Sequence, residues 1–243
     1  MNGASRNTLT SPSETAPVPE PPPNPELLTS LGRLVRGLSA LFWGLPIALV
    51  VCVQTANGEW LTSLGVVPPL LITGLLFYGL AQLGHFQPQE RVWRAALERA
   101  RIFALVNVGL APFLFWWNQL PFNPFYRAMV GLSMTSGLCF LFALNPVLRR
   151  LSAMLPDETL RSETKLFTSV NRYLLLGNFG LLAGWLLAAK LEAVVPELRH
   201  FYAYLSQGSF WLLLLLVLVP IAMTMALIWK TKEVILSSIF GPE

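Results

Sequence analysis

The sequence predicts an all-α integral membrane protein with six transmembrane helices, and three observations carry that prediction. Only 12% of the 243 residues are charged and 54% are hydrophobic, whereas soluble domains run near a quarter charged. Mean hydropathy is +0.56. The apolar residues gather in six runs, each close to the roughly 20 residues needed to cross about 30 Å of hydrocarbon.

Residues 1–29 read as a disordered cytoplasmic tail, rich in Pro and Ser and including Pro21-Pro22-Pro23-Asn24-Pro25. Such a segment has too little apolar surface to offset the entropy of ordering. Because polar residues stand where the apolar part of a cleaved leader would be, the first run reads as a retained anchor. A transmembrane domain follows over 30–235, with spans at about 37–54, 61–83, 102–120, 128–148, 173–189 and 208–229, and 230–243 form a short cytoplasmic tail. No Asp, Glu, Lys, Arg or His falls inside any span.

Orientation follows from the basic residues, which stay on the cytoplasmic side. With both termini inside, 14 of the 17 Lys and Arg lie inside, and only Arg127, Lys190 and Arg199 lie outside. Boundary-seeking aromatics give the same topology. Trp60, Trp116, Trp117, Tyr126, Tyr202, Tyr204 and Trp211 form an outer belt, and Trp93, Tyr173 and Trp229 an inner one.

The inner connections carry helical patterns of their own. Over Gln89–Arg101, the apolar Val92, Trp93, Ala96, Leu97 and Ala100 recur at helical spacing, with Glu90/Arg94 and Arg94/Glu98 as i,i+4 pairs. This predicts an amphipathic helix lying on the inner leaflet. Asp157–Asn171 offers a weaker version, opened by Pro156-Asp157-Glu158.

A repeat is also visible. Arg36, Arg101 and Arg172 each precede a Gly-Leu pair by eight positions: Gly44-Leu45, Gly109-Leu110 and Gly180-Leu181. The second and third copies share Asn107 and Asn178 as well. The pattern predicts three hairpin units, each preceded by an interfacial helix. In each, an arginine anchors the span at the headgroups and a glycine two turns deeper admits a neighbouring helix.

Asn107 and Asn178 are the deepest polar residues of their spans, and an amide in hydrocarbon needs a partner. The fourth span holds Gly131-Leu132-Ser133-Met134-Thr135-Ser136-Gly137. Neither Ser133 nor Ser136 has a base for nucleophilic catalysis, since His85 and His200 fall at opposite membrane faces. These small residues are expected to serve helix packing. Prolines inside spans, Pro46, Pro68, Pro69, Pro112 and Pro220, are expected to kink them.

No metal site, cofactor motif, phosphate loop or carboxylate pair is legible, and Cys52 and Cys139 lie far apart in apolar runs. The basic residues form short clusters and no stripe, which argues against nucleic acid. Proton pumps, voltage sensors and intramembrane hydrolases need charge at depth, so those classes are disfavoured. Two expectations remain for a protein of the bacterial cytoplasmic membrane. One is a non-enzymatic scaffold or accessory subunit that binds lipid and a membrane-protein partner or a second copy of itself. The alternative is a passive channel or carrier for a neutral solute, lined by Asn107, Asn178, Ser133, Thr135 and Ser136.

Overall fold

The computed structural model describes residues 25–58, 60–87, 89–155, 158–192 and 199–240, and side chains over 29–58, 60–61, 63–87, 89–155, 158–184 and 217–237. Most of the expected tail and the side chains of Lys190, Arg199, His200, Tyr202, Tyr204 and Trp211 lie outside the described residues. Six α-helices follow in order: α1 (Pro25–Asn57), α2 (Val67–Leu83), α3 (Arg91–Gln119), α4 (Pro124–Met154), α5 (Glu158–Glu192) and α6 (Arg199–Phe240). A 3-10 turn, Thr62–Leu64, precedes α2. Among the described residues three segments, Thr29–Asn57, Arg91–Gln119 and Pro124–Met154, are long and apolar enough to cross a membrane, and Val67–Leu83 is a shorter apolar helix.

The expected interfacial helices are not separate elements. Arg91–Gln119 is one unbroken helix, and so is Glu158–Glu192. Between Trp93 and Ala104 the sequence has neither Gly nor Pro and is rich in Ala and Arg, so nothing interrupts the hydrogen-bond ladder. The apolar face of this stretch turns into the bundle: Trp93, Ala100 and Ala104 are at most 1% exposed. Trp93 is thus a core residue, edge-on to Phe86, and not part of an inner belt. Tyr173 and Trp229 remain exposed.

Pro68 and Pro69 also depart from expectation. They occupy the first turn of α2, where an amide has no helical partner and the fixed φ of proline suits the start. The span expected from Leu61 therefore begins with a turn closed by Gly65 at φ +62°, and α2 is 17 residues long. Pro46, Pro112 and Pro220 do lie within continuous helices.

Consecutive helices pack side by side, α1 also touches α3 and α6, and α4 touches α6, so the bundle closes on itself. One stripe of α1, Leu34, Leu38, Leu41 and Leu45, lies in the core at alternating four- and three-residue spacing, which is the seam of a helix–helix contact. It meets Leu76, Leu80 and Leu83 of α2 and Leu97 and Ala100 of α3 in the same core. Gly37 and Gly79 set the approach of α1 to α2: a Cβ on Gly37 would lie 2.7 Å from the Gly79 carbonyl oxygen, and one on Gly79 would lie 3.1 Å from that of Gly37. Side-chain-free crossings of this kind maximise van der Waals contact where lipid supplies no hydrophobic drive.

Candidate functional site

The polar interior of the bundle is concentrated where α4, α5 and α6 meet. Asn171 of α5 donates from Nδ2 to Asn145 Oδ1 at 2.9 Å and to Thr224 Oγ1 at 3.1 Å. The Thr224 hydroxyl in turn donates to the Pro220 carbonyl at 2.7 Å. All three side chains are buried, at 2%, 6% and 1% exposure for Asn171, Asn145 and Thr224. Two polar atoms of the trio, Asn145 Nδ2 and Asn171 Oδ1, have no protein partner.

The level of this trio follows from the sequence. Asn171 directly precedes Arg172, and Asn145 stands one turn before Arg149, so the network sits at the level of these arginines. Selecting the deepest amides by sequence passed over it. The available signal was faint: two asparagines at matching levels beside the arginines of adjacent spans.

The residues singled out from sequence are dispersed. Asn107 is half-buried, while Asn178 is 1% exposed and donates to the Leu174 carbonyl of its own helix at 3.2 Å. Ser133 is half-buried. Ser136 is 6% exposed, with its hydroxyl unpartnered. Thr135 donates back to the Gly131 carbonyl of its own helix at 2.8 Å, a local bond that uses its donor and leaves its acceptor lone pairs.

The three repeat glycines differ in surroundings. A Cβ on Gly44 would lie 2.7 Å from Leu76 Cδ2, so α2 packs hard against that point. At Gly109 and Gly180 a Cβ would meet nothing within 4 Å.

The three repeat arginines differ as well. Arg36 is exposed. Arg172 is exposed and lies 5.8 Å from the Tyr173 ring centroid. Arg101 instead turns inward and donates to the Leu80 and Ala81 carbonyls. These belong to the last turn of α2, where the Ala81 carbonyl also accepts from the Gly84 amide at 3.2 Å and a cation complements the dipole. A Cβ on Gly84 would lie 1.9 Å from an Arg101 guanidinium nitrogen, so glycine at 84 makes room for this cap.

Lys230 of α6 pairs with Glu163 of α5, both about two-fifths exposed, and Arg94 approaches Glu98 at 3.9 Å on an exposed face. Such exposed pairs contribute little. His85 is exposed, Cys52 and Cys139 are free thiols, and among the described residues no three His, Cys, Asp or Glu cluster as metal ligands. The arrangement's chemistry is therefore neutral hydrogen bonding between helices. Comparison with protein-family models, with curated proteins and with solved structures finds no match.

Proposed function

We propose that this chain is a non-enzymatic membrane scaffold or accessory subunit, crossing the bacterial cytoplasmic membrane six times with both termini inside. The observation that carries this reading is the Asn171 amide shared between Asn145 and Thr224. It fastens α4, α5 and α6 together. The hydroxyls of Thr73, Thr168 and Thr231 are likewise bonded to carbonyls of their own helices. An interior tied up in this way holds a shape and leaves the outer helix faces for lipid and for a membrane-protein partner.

The second reading, a passive carrier for a neutral solute, is favoured by the unpartnered Ser136 hydroxyl and Asn145 amide on α4. Proteoliposome flux separates the two. On the scaffold reading, purified protein supports no flux of small neutral solutes, and a stoichiometric partner or second copy co-purifies from the native membrane. Flux that Asn107→Leu with Asn178→Leu abolishes, in a variant that elutes as the parent does, would overturn it in favour of the carrier. The topology has its own check: single cysteines replacing Arg94, Arg161 and Lys232 should label from one face only.

A further inference from the structure

An open cleft of about 360 Å³ runs between α3, α4 and α5, within the range of about 300 to 1,000 Å³ typical of small-molecule sites. Its walls are apolar: Phe103 from α3, Cys139, Phe142 and Pro146 from α4, and Leu176 and Phe179 from α5. Pro146 has no amide to bond the Phe142 carbonyl one turn earlier, which loosens this wall of α4. The charged residue among its described lining is Arg99.

Helical register places more positive charge at the same end. Arg99 stands one turn before Phe103, Arg149 and Arg150 stand three and four residues after Pro146, and Arg172 stands four before Leu176. Residues three or four apart share a helix face, so each of the three walls carries arginine at its basic end. All four arginines are exposed. The carboxylates of Glu98 and Glu163 lie against other cations, Arg94 and Lys230, and the four arginines outnumber them. From Pro146 to Cys139 the cleft descends two turns, or about 10 Å along the helix. That depth suits the upper part of an acyl chain in one leaflet of a hydrocarbon layer about 30 Å thick.

We propose that this cleft binds one anionic phospholipid of the leaflet at the basic end. An acyl chain lies against Phe103, Phe142 and Leu176, and the headgroup phosphate rests on Arg99 and its neighbours. Charge complementarity selects this occupant: arginines grip phosphate through charge-assisted hydrogen bonds and favour lipids of net negative charge over zwitterionic ones, whose headgroup cation they repel. The proposal rests on the membrane-spanning reading and does not depend on which face is cytoplasmic.

Native mass spectrometry of the intact chain in detergent tests it, using phosphatidylglycerol and phosphatidylcholine with matched acyl chains. Phosphatidylglycerol should be retained at least about fivefold more strongly. Arg99→Gln with Arg172→Gln should erase that preference, while Arg127→Gln, at the other end of the bundle, should leave it. Ala143→Phe, which fills the cleft, should reduce retention of both lipids without changing elution. Equal retention of the two lipids by the parent chain would overturn the proposal. So would a preference that survives the double arginine variant, one indifferent to Ala143→Phe, or displacement of the lipid by millimolar inorganic phosphate. Cysteine labels at Arg94 and Arg161 that report the face opposite Lys232 would sink the six-span topology and leave these lipid measurements standing.

Discussion

Where α1 meets α2, two glycines bring the backbones so close that a single Cβ on Gly37 would press on Gly79. Where α4, α5 and α6 meet, an amide and a hydroxyl bridge the helices through side-chain hydrogen bonds. The two contacts show alternative answers to one problem. Lipid tails are as apolar as leucine, so helices in a bilayer must be joined either by close packing or by polar bonds. The first kind tolerates no added volume, and the second tolerates volume but needs its partners.

The largest effect is expected from Gly37→Leu, whose side chain would collide with Leu83 and with the α2 backbone. Overpacking of this kind costs about 1 to 3 kcal/mol and sometimes more, so a clear drop in thermal midpoint in detergent is expected, together with loss of monodisperse protein. A midpoint unchanged by Gly37→Leu would show that α1 and α2 do not cross there.

The polar contact should respond more gently. A double-mutant cycle of Asn145→Leu and Asn171→Leu should return a coupling of about 0.6 kcal/mol, with about 1.7 kcal/mol as the upper end for interhelical bonds in membranes. Additive losses would mean that the two amides do not act together. Arg101→Gln removes the cap on α2 and should cost about 1 kcal/mol, whereas Arg36→Gln, at an exposed side chain, should change the midpoint little. Equal effects from both would make Arg101 a headgroup anchor like the others.

The smallest effect is expected at Gly109 and Gly180, which face open space. Gly→Ala there should leave the midpoint unchanged or raise it slightly, since alanine favours a helix by about 1 kcal/mol over glycine. Against Gly44→Ala, which must displace Leu76, this pair measures directly how far the three repeat positions have the same role.

The repeat itself illustrates what pattern reading detects. The spacing from Arg101 to Gly109 is identical to that from Arg172 to Gly180, yet Arg101 caps a neighbouring helix while Arg172 stays exposed. Spacing along a chain records position on one helix face; it carries no information about what lies opposite that face. The same gap explains Trp93, whose placement among charged residues reads as interfacial although it is fully buried. It explains Asn145 and Asn171 too, each unremarkable alone and 26 residues apart in the chain.

By itself the sequence determined that this protein is helical and that its long apolar runs suit a membrane, because hydropathy and helical period are properties of consecutive residues. The start of α4 at Asn123-Pro124, ahead of the span expected from about 128, came from the structure, where the Asn123 side chain caps Phe125 and proline fits the first turn. Only the tertiary structure decided that the amphipathic stretch after Arg91 continues into α3, that Gly37 and Gly79 meet, and that α4, α5 and α6 share one hydrogen-bonded trio. Each of these depends on which faces of separate helices are apposed. That choice is made by the packing of the whole bundle, where a close backbone crossing or a buried amide is worth forming only if its partner arrives from elsewhere in the chain.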